Sequence, residues 1–299
     1  MSARFDTEVT LTGPTRSPAQ MLADQTYDGH TSVHDEATAA SLGLRGAPIE
    51  GPTHFSQFDP LAAALWGERW FTNGCISAHF QTMVVEGEQV TASLVCSGAE
   101  TGRISAVKTT GEVVLTGTAS VGPDHGDTEC GARLSRSGSD QPFHILDRLQ
   151  MGITTDVGEQ TMTMDDDNGH LYPFSLRQKL ARITEPHTWY SGDSPWGAPV
   201  VPFEMISVLA FRTSPAFPVR TPSVGLFLDL EVRMHDGPVL VGRPYRVVHE
   251  LVGLGQSRRT ESYWTRTTLV SPDDGRLVAS VLLHQGVFKD SYPGYPAPS

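Results

Sequence analysis

No stretch of this sequence approaches the ~18 consecutive apolar residues that a membrane-spanning helix needs. The opening Met1-Ser-Ala-Arg-Phe-Asp has no apolar core of the secretory-signal kind, so the cytoplasm is the expected compartment and no membrane partner is expected. Cysteine is scarce. Cys75, Cys96 and Cys130 are odd in number and have no CxxC spacing, which fits neither a disulfide framework nor a zinc site. Cys75 and Cys96 stand in apolar, strand-like contexts and are expected as small buried hydrophobes. Basic residues are outnumbered, 22 Lys and Arg against 34 Asp and Glu for a net charge of −12. They form no dense stripe, so a nucleic-acid partner is not expected. The GxSxG elbow of serine hydrolases is also missing. Asp165-Asp166-Asp167 reads as a solvated turn rather than a metal site. Neither a metal nor a cofactor is expected.

What is present is a repeat. The 299 residues are 38% hydrophobic and 19% charged, an ordinary globular composition with length for one large domain or two smaller ones. Gly46-Ala-Pro-Ile49 returns as Gly197-Ala-Pro-Val200, 151 positions later. Apolar, helix-like stretches follow each, residues 54–66 and 203–210. Strand-like alternation comes next, over 76–84 and 90–95 in the first half and over 224–232 and 239–241 in the second. Gly87 and Gly237 mark matching turns, 150 apart. Further strands are expected at 103–109 and 112–120, and at 243–254, 260–271 and 277–287. Residues 121–142 and 290–299 are aperiodic and rich in Gly, Ser, Asp or Pro, as linkers and tails are. Each half therefore reads as an α+β unit, one apolar helix wrapped by an antiparallel sheet. Two such sheets paired edge to edge would hide their exposed edges. The division expected is a first half at 1–125, a linker at 126–160 and a second half at 161–299.

Helix wrapped by sheet, in tandem, is the double hotdog architecture. The segment Tyr27-Asp-Gly-His-Thr-Ser-Val-His-Asp-Glu-Ala-Thr-Ala-Ala-Ser-Leu-Gly-Leu-Arg-Gly-Ala-Pro-Ile-Glu-Gly51 resembles the hydratase segment of MaoC-like enoyl-CoA hydratases. In that family an Asp-x-Asn-Pro-aliphatic-His-x-Asp run leads through an Ala-rich helix to Gly-Phe and a Pro-Ile-Ala-x-Gly turn. Val33-His34 match the aliphatic-His, Ala39 and Ala40 fall in the Ala-rich turn, Gly43-Leu44 match Gly-Phe, and Pro48-Ile49 match Pro-Ile. Gly51 stands one position early for the turn glycine. Thr31-Ser32 replace Asn-Pro, and the family's Asp falls on Gly29 with Asp28 beside it. These departures argue against a standard hydratase.

The resemblance implies a hydratase or dehydratase acting on an acyl-CoA or carrier-bound thioester. That reaction needs a base, an acid and donors for an enolate oxygen. His34 is the expected acid or base; the competing reading makes it the neighbour of a helix capped by Asp35 and bonded only to backbone. Asp28 is the second catalytic candidate, or a turn residue of Tyr-Asp-Gly. Gly46 and Gly51 are expected to let a carbonyl oxygen approach backbone N–H groups. His30, His54 and Gln57 are expected to line the pocket, and His30 with His34 lacks the helical setting of a metal pair. Trp66 and Trp70 read as core. Counting back from Gly197 as from Gly46 to His34 reaches Glu185, with His187 near, so the second half lacks the loop. Trp189, Trp196 and Phe203, with Tyr190, would supply the facing wall or else aromatic core. Arg243, Arg246, Arg258 and Arg259 would meet a phosphate-bearing carrier arm or simply face solvent. Two other readings stand beside the hydratase: a lyase, isomerase or cyclase of secondary metabolism with a free small-molecule substrate, and a hotdog binding protein that has lost catalysis. A homodimer is compatible with all of them.

Overall fold

The alternation Val-Thr-Ala-Ser-Leu-Val-Cys over 90–96 builds a strand with every second side chain buried, the pattern of a sheet covered on one face. A computed structural model describes residues 8–27, 29–96, 98–192 and 194–296. Its first half contains β1 (Val9–Thr12), α1 (Glu36–Ser41), a 3-10 segment (Gly51–Gln57), α2 (Asp59–Trp66), α3 (Glu68–Asn73), β2 (Gly74–Phe80), β3 (Val90–Cys96), β4 (Thr101–Lys108) and β5 (Val113–Val121). A short helix, α4 (Glu129–Leu134), precedes the second half. That half holds β6 (Thr154–Thr161), α5 (Leu176–Leu180), α6 (Phe203–Phe211), β7 (Gly225–Met234), β8 (Pro244–Gln256), β9 (Thr260–Val270) and β10 (Leu277–Phe288).

One antiparallel ten-stranded sheet runs β1-β3-β4-β5-β2-β7-β10-β9-β8-β6. Outward from the β2–β7 junction the two halves have the same order, so the repeat seen in the sequence is a repeat of topology. The junction pairs Cys75 with Arg233 through to His79 with Asp229. It joins what would be two open edges. Its inner face carries Ile76, Ala78, Leu230 and Val232, all buried. On its outer face Asp229 accepts hydrogen bonds from His79 Nδ1 at 2.8 Å and His284 Nδ1 at 2.6 Å and pairs with Arg133 of α4 at 2.6 Å.

The central helices α2 and α6 lie on the inner face, and α4 lies on the outer one. Every residue of α6 is buried, Glu204 and Ser207 included, in a helix whose other positions are apolar on all sides. It packs on the first half's helical segment, where Trp70 stacks on Phe203 with ring centroids 4.5 Å apart. All three cysteines are free and buried.

Several expectations need correction. The first central helix is not continuous: a 3-10 segment precedes α2. Pro60 lacks the N–H that would reach back to residue 56, and its ring crowds that carbonyl. The strand expected over 76–84 stops at Phe80. There Gln81 and Thr82 both donate backbone N–H to the Val114 carbonyl, at 2.8 and 3.3 Å, while Ile49 N–H goes to Val84 O at 2.7 Å. Residues 239–241 contribute a single bridge, Val200 to Leu240, in place of a strand. The stretch 126–160 holds α4 and most of β6, whose Thr-Thr-Asp-Val-Gly-Glu-Gln-Thr has no apolar alternation to announce it.

Candidate active site

Where residues 81–84 leave the sheet a cavity of about 290 Å³ opens between the halves. The first half supplies Gln25, Tyr27, residues 30–34, the turn 48–54 and residues 80–84. The second supplies Tyr172, residues 214–219, the start of β7, Tyr263 of β9 and Gln285 of β10. Phe217, Val219, Leu226 and Val287 make one wall apolar.

The loop is tied down on both sides. Gln25 donates to the Leu171 carbonyl at 2.8 Å and accepts from the Ser32 hydroxyl at 2.7 Å. Ser32 Oγ in turn accepts the His34 N–H at 3.1 Å. His30 Nδ1 lies 3.0 Å from Ser223 Oγ of the second half, and Thr31 forms a parallel bridge with Val224. Asp35 caps α1 by accepting the Thr38 N–H at 2.8 Å, a cap worth ~1 kcal/mol. These contacts aim His34 into the cavity. Its Nδ1 lies 2.7 Å from the Pro48 carbonyl. A carbonyl only accepts, so Nδ1 carries the proton and Nε2 keeps its lone pair. Burial lowers the imidazole pKa, opposed by the bond to Pro48, so His34 is a neutral base near pH 7.

Beside it the turn Glu50-Gly51 enters the 3-10 segment. As the first residue of that segment Gly51 has an N–H without an acceptor inside it. A Cβ at Gly51 would stand 2.9 Å from the Phe80 ring, so only glycine lets Phe80 close the cavity here. Glu50 and His54 line the same end. Both are buried, with Glu50 Oε1 and His54 Nδ1 lacking hydrogen-bond partners among the described residues. Burial holds His54 down to about 4 and pushes Glu50 up, Lys179 opposing the latter shift.

No family model matches the chain, and no curated protein does. Solved structures do. A MaoC domain protein proposed as a dehydratase, from Chloroflexus aurantiacus J-10-fl, superposes with TM-score 0.57 at 15% identity, covering 95% of each chain. A conserved hypothetical protein of Mycobacterium tuberculosis with a double hotdog fold gives 0.56 at 14%, covering 92% of this chain and 96% of its own. A MaoC-like dehydratase gives 0.50 at 12%, covering 96% and 98%. The fold is a double hotdog.

Only one half of this double hotdog carries the loop. The offset of 151 that relates Gly46 to Gly197 places Glu185 where the first half has His34, and Pro202 where it has Gly51. Pro202 has no N–H to offer. Glu185 is occupied by Arg16, at 2.6 Å. His34, His30, Gly51 and His54 come together around the cavity, and Asp28 lies outside the described residues. Gly46 does not line the cavity; it packs near Val85. Gln57 is buried away from the cavity, its Nε2 3.4 Å from the Val90 carbonyl. Trp189, Trp196 and Phe203, expected on the facing wall or else in the core, do not line the cavity; Phe203 is core and the half-buried tryptophans pack against it. Phe203 stacks on Trp70, and the two tryptophans pack edge-on to each other and against Phe71. The wall is instead built by the strand ends of the second half and by 214–219. Sequence reasoning missed Glu50, Tyr172, Tyr263 and Gln285. Glu50 left one signal, a carboxylate inside the apolar turn Pro-Ile-Glu-Gly.

Proposed function

We propose that this protein is a hydro-lyase that interconverts a 3-hydroxyacyl thioester and its 2-enoyl thioester in the cavity between its halves. The observation that carries the reading is the meeting of the His34 imidazole, its Nε2 lone pair available, and the Gly51 N–H on one cavity. In the elimination direction His34 Nε2 removes a proton from C2. The thioester oxygen gains charge and is received by the Gly51 N–H. The C3–O bond then breaks, the hydroxyl takes a proton from an acid on the cavity and leaves as water, and the proton held on His34 later restores that acid; hydration is the reverse. The apolar wall suits an acyl chain. A shallower depression of about 550 Å³ shares Thr31 with the cavity and holds Arg259, the candidate contact for a phosphate of the carrier arm. Likeness of fold to dehydratases supports the class of reaction. The cytoplasm is the proposed compartment.

The test follows hydration of crotonyl-CoA and longer 2-enoyl-CoA esters by loss of the enoyl absorbance and gain of one water in mass. Turnover by the natural chain that His34→Ala abolishes supports the reading. Failure to hydrate or to bind any of these esters overturns it. A second reading, a lyase, isomerase or cyclase with a free substrate, is favoured by the polar end of the cavity, where Tyr27 and Tyr172 gather near Glu50. It predicts binding without a CoA arm, unaffected by Arg259→Ala.

A further inference from the structure

Behind the cavity lies a charge cluster that neither the loop resemblance nor the base at His34 accounts for. Lys179 of α5 sits between two carboxyl groups, 3.9 Å from Glu50 Oε2 and 3.6 Å from Glu204 Oε1 of α6. It donates to the Thr53 hydroxyl at 2.9 Å. All three are withdrawn from water, Glu50 being 6% exposed, Lys179 2% and Glu204 1%. One ammonium balances one carboxylate. The second carboxyl, with no other cation against it among the described residues and withdrawn into the interior, is held by a proton. Burying three ionisable groups costs more than a packed apolar substitute would, so stability does not explain them.

We infer that Glu50 and Glu204 share one proton about Lys179, and that Glu50, the member facing the cavity, is the acid that partners His34. This rests on the hydro-lyase reading and extends it. Glu50 lines the cavity next to Gly51, and its Oε1 has no partner among the described residues. Glu204 lies behind it, with neither carboxylate oxygen hydrogen-bonded among those residues. The other titratable groups facing the pair are His54, four residues on from Glu50 in the 3-10 segment, the Tyr27 and Tyr172 phenols near Glu50, and Asp59 and the Tyr190 phenol near Glu204. None supplies a second cation, since burial keeps His54 neutral near pH 7. Burial pushes Glu204 up to about 8, with Lys179 opposing, in keeping with a proton retained at neutrality. In elimination His34 Nε2 takes the C2 proton. The Glu50 O–H bond breaks as its proton passes to the departing C3 hydroxyl, and the C3–O pair leaves with the water formed. Two carboxylates then flank Lys179, and this excess charge is relieved when the imidazolium returns its proton to the pair through water.

Infrared spectroscopy of the full chain at pH 7 reads the proton directly, through the C=O stretch of a protonated carboxylic acid. Glu50→Gln and Glu204→Gln should each abolish the same band, because the remaining carboxylate then pairs alone with Lys179. Lys179→Met should strengthen the band. With crotonyl-CoA as probe, Glu50→Gln should lower kcat by about 10² to 10⁴-fold at an unchanged melting temperature. Glu204→Gln should move the basic limb of the pH–rate profile to lower pH, which a merely structural residue would not do. A band that survives Glu50→Gln would overturn the inference, as would full turnover by that variant. If Glu50→Gln does not fold, Glu204→Gln and the pH titration of the natural chain's band decide. Absence of crotonyl-CoA turnover in the natural chain would count against the hydro-lyase reading alone, and the infrared bands would still decide the shared proton.

Discussion

His34 donates Nδ1–H to the Pro48 carbonyl and so presents Nε2 as a base. Replacing it with alanine removes one hydrogen bond with a net worth of about 1 kcal/mol but the whole of the proton transfer proposed for it. His34→Ala is expected to keep its melting temperature within a few degrees while kcat falls about 10² to 10⁴-fold; equal losses in both would make the residue structural. The buried titratable groups also set a pH dependence of stability. His54 and His249 are held down to about 4 by burial. The unfolded chain therefore binds more protons at these positions below about 6.5, and their contribution is lost as pH falls from there toward 4. Glu204 is pushed the other way, to about 8. The folded chain keeps its proton while the unfolded chain releases it above about 4.5, so this contribution is lost as pH rises toward 8. Thermal unfolding should give greatest stability near pH 6.5. Glu204→Gln should flatten the fall between pH 6.5 and 8 and steepen the rise between about 4.5 and 6.5, where Glu204 opposes the histidines; an unaltered alkaline slope would contradict the assignment.

At the level of elements, the site depends on how the turn before α2 meets the end of β2. The Phe80 ring lies against the Cα of Gly51. Gly51→Ala should push the ring aside and displace the N–H proposed to receive the enolate oxygen. Loss of one such donor costs about 10² to 10³ in kcat. The double variant Gly51→Ala with Phe80→Leu should recover part of that loss, because the shorter side chain gives the Cβ room. No recovery would mean that ring displacement is not the cause. The 3-10 segment before α2 matters for the same reason: Pro60 ends regular α-helix in that direction, so the chain over 51–57 adopts a tighter path that turns Glu50, Gly51 and His54 toward the cavity.

Across the whole molecule, the halves share a sheet, a helix–helix contact and a cavity wall. Calorimetry should therefore show one unfolding transition, and two resolved transitions would show that the halves are independent units. Asp229 joins them on the outer face by holding His79, His284 and Arg133 together. Removing one partner of a buried ionic cluster leaves the others unpaired, at a cost of about 3–5 kcal/mol. Asp229→Ala should lower the denaturant midpoint accordingly without dividing the transition; a change within error would mean that the junction is carried by its apolar inner face alone.

Local patterns reached the architecture because they are local. Two-residue alternation, a tetrad recurring 151 positions on and turn glycines at Gly87 and Gly237 specify strands, helices and their order without knowledge of distant contacts. The same holds for His34, whose place between an aliphatic residue and a capped helix is written in consecutive residues. Tertiary structure alone decided what faces that histidine. Trp189, Trp196 and Phe203 have the composition of a pocket wall and pack instead against Phe71 and Trp70, since aromatic rings suit either place and only the tertiary contacts choose. β6 escaped notice because an edge strand with mixed polarity has no period to detect, and the partner that orders it, β8, lies some ninety residues away. Glu50, Lys179 and Glu204 are separated by long stretches of chain and share no motif. Their meeting follows from the packing of two halves, and with it the environment that decides where a proton rests.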